Sequence, residues 1–114
     1  MTTHQMKLTL KPFNKIASGQ KIIESRLYDE KRQLLKINDL IEFTCTENSQ
    51  KITTIIDNLY LYKSFTELFS NFPAELFGGQ SKENLLKEIY EFYSKEDENK
   101  YGIIGIKIKH IKSD

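Results

Sequence analysis

The chain has 114 residues, of which 39% are hydrophobic, 11% aromatic and 29% charged; this is the balance of one soluble globular domain able to bury a core of its own. A formal net charge of +1 argues against a uniformly basic nucleic-acid binder, and a single cysteine, Cys45, excludes an internal disulfide. No apolar run approaches the ~20 residues that span a bilayer.

The segment Met1 to Met6 is polar, without the apolar centre of a signal peptide. Residues 1–5 read as a disordered tail, and the lone cysteine fits a reducing cytoplasm. Lys7 to Leu10 alternates as a short strand. Pro12 then opens a short helix whose buried stripe is Phe13, Ile16 and Ala17, and Gly19 stops it. Lys21 to Leu27 is the next strand, and Tyr28 to Leu35 a polar connector or one helical turn. Asn38-Asp39 is a turn signal, because both residue types tolerate left-handed backbone.

Leu40 to Thr46 reads as a strand with Ile41, Phe43 and Cys45 on one face, and the polar turn Glu47 to Gln50 makes a hairpin with Ile52 to Tyr62. That second run is long, and Asp57-Asn58 predicts a bulge or bend in it. Ser64-Phe65-Thr66-Glu67 matches a capping box, with Phe65, Leu68, Phe69 and Phe72 as the apolar side of its helix. Gly78-Gly79 is a break, and Ser81 caps a helix running to about Ser94. Lys95 to Lys100 reads as a charged loop. Tyr101 to Ile111 is the last strand, with Ile104, Ile106 and Ile108 opposite Lys107 and Lys109. Strands and helices do not alternate, so a parallel sheet is not expected. The predicted architecture is α+β: a small, mostly antiparallel barrel or strongly curved sheet with helices over its openings.

Charge is unevenly spread. From Lys7 to Lys36 there are eight basic residues against Glu24, Asp29 and Glu30, a segment charge of +5, whereas Glu83 to Glu98 is acidic. The densest chemistry lies in Gly19-Gln20-Lys21-Ile22-Ile23-Glu24-Ser25-Arg26. Charged side chains are rarely buried unless paired, so this strand is either an exposed face or the floor of a polar cleft. Lys21 and Arg26 are suited to a phosphate or carboxylate, Arg26 in a bidentate way. Glu24 is suited to an exocyclic amine or to holding the two cations. Tyr28, just beyond, is suited to stacking on a base. The bland alternative for all four is a salt-bridged surface strand with a rim tyrosine. Ser25 has no histidine near it in sequence, His4 and His110 lie far apart, and no metal-ligand cluster or cofactor motif is visible. Cys45 reads as a buried small hydrophobe, and Phe65, Phe69, Phe72 and Phe77 as core.

The sequence resembles the ASCH domain, a branch of the PUA-like superfamily. The resemblance is carried by Leu10, Pro12-Phe13, Ile16, Gly19-x-Lys21-x-x-Glu24-x-Arg26, Asn38-Asp39-x-Ile41-x-Phe43 and Tyr101-Gly102-Ile103-Ile104-Gly105-Ile106, and runs from about Met6 to Lys112. Asn38 stands where the family usually has glycine; asparagine takes the same left-handed turn. The resemblance implies one domain over residues 6–112, a β-barrel of about five or six strands, and a cleft between barrel and helices proposed for RNA or a nucleotide-like ligand. The family includes small hydrolases that remove an acyl group from acetylcytidine. They resemble this chain at Gly19 and Lys21, but their nucleophilic threonine matches Glu24 here, so the hydroxyl is missing. Glu75 lies in the general region where they use a glutamate.

The expectation is therefore a binding module for RNA or a nucleoside-like small ligand, held by Lys21, Glu24, Arg26 and Tyr28. The near-neutral total charge favours a small ligand or a short single strand over a long duplex. One alternative is an amidohydrolase on a modified nucleoside, with Lys21 as general base oriented by Glu24. Another is a protein-interaction domain that uses the phenylalanine-rich helices.

Overall fold

The computed structural model describes residues 1–111. Its strands are β1 (Thr3–Leu8), β2 (Ile23–Leu27), β3 (Leu40–Cys45), β4 (Lys51–Tyr62) and β5 (Ile103–His110). Its helices are α1 (Leu10–Ala17), α2 (Phe65–Asn71), α3 (Lys82–Ile89) and α4 (Lys95–Tyr101), with 3-10 turns at Arg32–Leu34 and Ala74–Phe77. The five strands form one sheet in the order β1-β3-β4-β5-β2. The α+β class and the predominance of antiparallel pairing agree with the sequence reading.

Closure does not. β1 and β2 are free edges, so the sheet is a curled half-barrel rather than a closed barrel. β1 also pairs with β3 in parallel, Thr3 to Leu8 against Leu40 to Cys45, the one parallel pairing among the described strands of a sheet expected to be mostly antiparallel. That pairing takes in Thr3, His4 and Gln5, read from the sequence as part of a disordered tail. The His4 ring and the Thr2 N–H both reach the Asp39 carboxylate, at 2.8 and 3.2 Å, and Leu40 N–H donates to Thr2 O. These bonds tie the start of the chain to the turn before β3. Asn38 sits in that turn at φ 76°, as its identity suggested.

The long strand β4 bends where predicted: its register against β5 shifts between Ile56 and Asn58, and a bulge of this kind increases local twist. The inside of the curl is filled by one apolar cluster that includes Ile16, Ile41, Phe43, Ile56, Ile104 and Ile106. A second cluster lies on the other face of β2 and β5, where Ile23, Leu27 and Ile103 meet Phe65, Leu68, Phe69, Phe77 and Leu85. Contact there is close: a Cβ at Gly105 would stand 2.8 Å from Leu68 Cδ1, so the leucine would have to shift to admit one.

Helix ends follow the local sequence with instructive departures. Ser64 Oγ accepts from Glu67 N–H and Ser81 Oγ from Asn84 N–H, as the capping signals required. α1 starts at Leu10, before Pro12, and its first N–H is satisfied by Glu47 from the β3–β4 turn at 2.6 Å. α3 ends at Ile89 rather than near Ser94, which leaves Phe92 68% exposed. The charged stretch read as a loop is α4. Ser94 caps it, three acidic residues occupy its first turn, and its Glu98 turns inward to Phe65 N–H and the Tyr90 hydroxyl. Acidic side chains at a helix N-terminus complement the backbone dipole.

Candidate functional site

Gly19, at φ +81°, takes the chain out of α1. Lys21 N–H then bonds Lys15 O, and Ile22 N–H bonds Leu76 O, which delivers the chain into β2. Along β2 side chains alternate. Ile23 and Leu27 belong to the cluster beneath the helices. Glu24 and Arg26 project the other way, opposite Ile106 and Ile104 of β5.

Glu24 is 3% exposed. Lys21 Nζ lies 2.7 Å from its Oε1, and Arg26 places Nε and Nη2 each 2.8 Å from its Oε2. Both cations are largely withdrawn from solvent themselves, with side chains 13% and 12% exposed. Burial alone pushes the Glu24 carboxyl up. The charges and hydrogen bonds of Lys21 and Arg26 outweigh that and bring it down to about 2 from 4.5. Arg26 is subject to the same contest: burial lowers its pKa, Glu24 and then Tyr93 raise it, and the result is upward. Of the two readings open from sequence, exposed face or polar floor, the backbone places this strand as a floor.

Above the floor is a cleft of about 500 Å³. Lys7, Lys11 and Lys15 stand on the side of β1 and α1, and Phe77, Leu85, Ile89, Phe92 and Tyr93 form an apolar wall on the side of α2 and α3. Glu88 and Glu91 border that wall. Tyr93 is stacked on Phe65 at 5.7 Å and 20°, and burial pushes its hydroxyl pKa up, so at neutral pH it is an uncharged donor. The arrangement suits a ligand with one flat apolar face and a polar or anionic edge.

The structure therefore brings together Lys21, Glu24 and Arg26 but not Tyr28. The Tyr28 ring packs against the core inside the curl and does not line the cleft. Glu75 is exposed and outside it. Tyr93 occupies the place foreseen for Tyr28. In sequence it is one more aromatic residue near the end of the helix read as running to about Ser94, and the early end of α3 turns it toward Arg26. Lys7, Lys11 and Lys15 were visible as charge but not as a lip. Ser25 lines the cleft, and neither histidine does. Among the described residues no three His, Cys, Asp or Glu side chains cluster to hold a metal ion, and no helix is long and apolar enough to cross a membrane.

A curled half-barrel sheet flanked by helices has the form of a PUA-like domain. The chain belongs to the ASCH domain family: the family model matches residues 6–112. Among solved structures, the hypothetical protein PH0355 is 34% identical, with TM-score 0.86 over 96% of this chain and 100% of its own. Protein PF0455 from Pyrococcus furiosus is 31% identical, with TM-score 0.77 over 98% and 100%. A mutant of the ASCH protein of Zymomonas mobilis shares the fold at 15% identity, with TM-score 0.69 over 96% of this chain and 70% of that one. No curated protein matches the sequence.

Proposed function

We propose that the chain is a binding module that takes a nucleoside-like ligand, free or within a short single-stranded RNA, in the cleft floored by Lys21, Glu24 and Arg26. One observation carries this reading. Two cations share a single buried carboxylate, so the floor keeps one net positive charge where water is largely excluded. A phosphate or an electron-rich keto edge balances it, while the base lies along Phe77 and Tyr93. Glu24 acts here as the positioning group. One of its oxygens is engaged by Lys21 and the other twice by Arg26, which leaves little capacity for a ligand amine.

The amidohydrolase alternative has less support. An ammonium engaged in an ion pair has no lone pair with which to take a proton, and Glu24 supplies no hydroxyl nucleophile. Of the phenylalanines proposed for a protein partner, Phe65, Phe69 and Phe77 are buried in the second core cluster and Phe72 is half-buried against it.

The test is a thermal-shift titration of the purified protein with nucleosides, nucleoside monophosphates, acetylcytidine and short RNA, beside Lys21→Met. A ligand that binds only the folded state raises the melting temperature by mass action. The expected result is a shift in the native protein that is lost in the variant. A flat response to every probe, or an equal shift in both proteins, removes the cleft reading. Release of acetate from acetylcytidine would revive the hydrolase.

A further inference from the structure

Among the described strands β2 pairs on one side only, with β5. Ile108 N–H donates to Ile22 O and Tyr28 N–H to Gly102 O, and the register between these points is unbroken. In an antiparallel ladder, hydrogen-bonded pairs alternate with non-bonded ones. Glu24 and Arg26 therefore bond β5, while Ile23, Ser25 and Leu27 turn their main-chain N–H and C=O groups outward. Of these three only Ser25 lines the cleft. The lining comes from both faces of β2, Glu24 and Arg26 from one and Phe69 and Phe77 from the other, so the cavity runs along this free edge. Ser25 is 8% exposed, and its N–H and C=O take no main-chain partner among the described residues. Buried main-chain groups are nearly always hydrogen-bonded, so an unpaired donor and acceptor side by side call for a partner that enters the cavity. Arg26 adds a third group. Its Nε and Nη2 serve Glu24 and Lys7 O, which leaves Nη1, with the Tyr93 hydroxyl near the guanidinium. Along β2 the edge thus runs donor, acceptor, donor.

We infer that this edge selects the imide of a uracil-type base: Ser25 N–H donates to one ring carbonyl, Ser25 C=O accepts from the ring N–H between the carbonyls, and Arg26 donates to the other carbonyl. The inference rests on the nucleoside reading above and names the base. An imide presents acceptor, donor, acceptor, the complement of the edge, and reads the same in either orientation. Cytosine and adenine set a bare ring nitrogen against Ser25 C=O. Guanine sets its exocyclic amine against a donor whichever way it lies. A site built to hydrogen-bond one pattern rejects a ligand that leaves its buried polar groups unpaired.

The test is calorimetric titration of the native protein with the monophosphates of uridine, cytidine, adenosine and guanosine, and of uridine methylated on the imide nitrogen. Amide NMR of the labelled protein follows the same titrations. Uridine monophosphate is expected to bind on the order of tenfold more tightly than the others. Methylation of the imide nitrogen is expected to abolish that preference, and the Ser25 amide proton to move downfield as the site fills. Ser25→Ala removes the hydroxyl and keeps the main chain, so it is expected to bind like the native protein. Equal affinity for uridine monophosphate and its methylated form, an unmoved Ser25 amide, or loss of binding in Ser25→Ala overturns the inference; the cleft reading survives each of these if binding is still lost in Lys21→Met. No binding of any monophosphate removes the cleft reading, and this inference with it.

Discussion

Arg26 Nη2 lies 2.9 Å from the carbonyl oxygen of Lys7, so one guanidinium spans the gap between the two free edges of the sheet while its Nε holds Glu24. A closed barrel would use a ladder of backbone hydrogen bonds at that place. This chain uses side chains: Lys31 Nζ similarly bonds Gln5 O at 2.6 Å. The residue that closes the curl is thus also a residue of the cleft floor.

Arg26→Lys keeps the charge but not the fork. A lysine has no rigid set of donors with which to serve Glu24 and Lys7 O together. The loss of one charge-assisted hydrogen bond costs about 1.5–3 kcal/mol. Urea unfolding is expected to show that loss, and hydrogen exchange to show faster opening of β1 than of β4. Unchanged exchange in β1 would mean the seam does not depend on this bond.

Glu24→Gln leaves two buried cations facing each other with no counter-charge. Breaking a buried pair by removing one partner costs about 3–5 kcal/mol, so the variant should unfold at markedly lower urea. Adding Lys21→Met removes one of the stranded charges and should recover part of the loss. A Glu24→Gln protein as stable as the native one would show that the triad contributes nothing to folding.

The same carboxylate sets an acid limit. Its folded pKa, about 2, lies below its ordinary 4.5. The unfolded chain therefore binds the proton first, and the stability due to Glu24 is present above about 4.5 and lost as pH falls toward 2. The shift corresponds to about 3 kcal/mol. Unfolding free energy measured between pH 6 and pH 2 should fall less steeply in Glu24→Gln than in the native protein. Parallel curves would place the acid sensitivity elsewhere.

Gly105→Ala drives a methyl group against Leu68, 2.8 Å away, under a helix that rests on β5. Overpacking of this kind costs about 1–3 kcal/mol. Thermal unfolding should record the loss, and Leu68→Ala in the same chain should relieve the clash, so the two changes together should cost less than their sum.

Much of the fold was legible because local chemistry and burial agree. The bulge near Asp57, the caps at Ser64 and Ser81, the turn at Asn38 and the buried face of Ile41, Phe43 and Cys45 are each set by residues a few positions apart. What escaped depends on distant partners. α4 looks like a solvated loop by its charge, although Ser94-Lys95-Glu96-Asp97 is a local capping signal, and what anchors it is Glu98 bonded to the distant Phe65 N–H. β1 looks like a tail until Asp39 holds Thr2 and His4. At the site, the Lys21, Glu24 and Arg26 spacing announced a charged strand, but burial of Glu24 depends on the pairing of β2 with the distant β5 and on the two cations that fold onto the carboxylate. Tyr93 joins through the end of α3, which no pattern in its own sequence marks.

The sheet order also has a bearing on when the cleft comes into being. β2 carries Glu24 and Arg26 near the start of the chain, yet among the described residues its sole neighbour in the sheet is β5, which is made long after it. During synthesis the charged floor has no ladder to rest on until the C-terminal strand has emerged, and such pairings between remote parts of a chain form slowly. A nascent or C-terminally truncated chain would carry the whole Lys21 to Arg26 motif and still have no cleft.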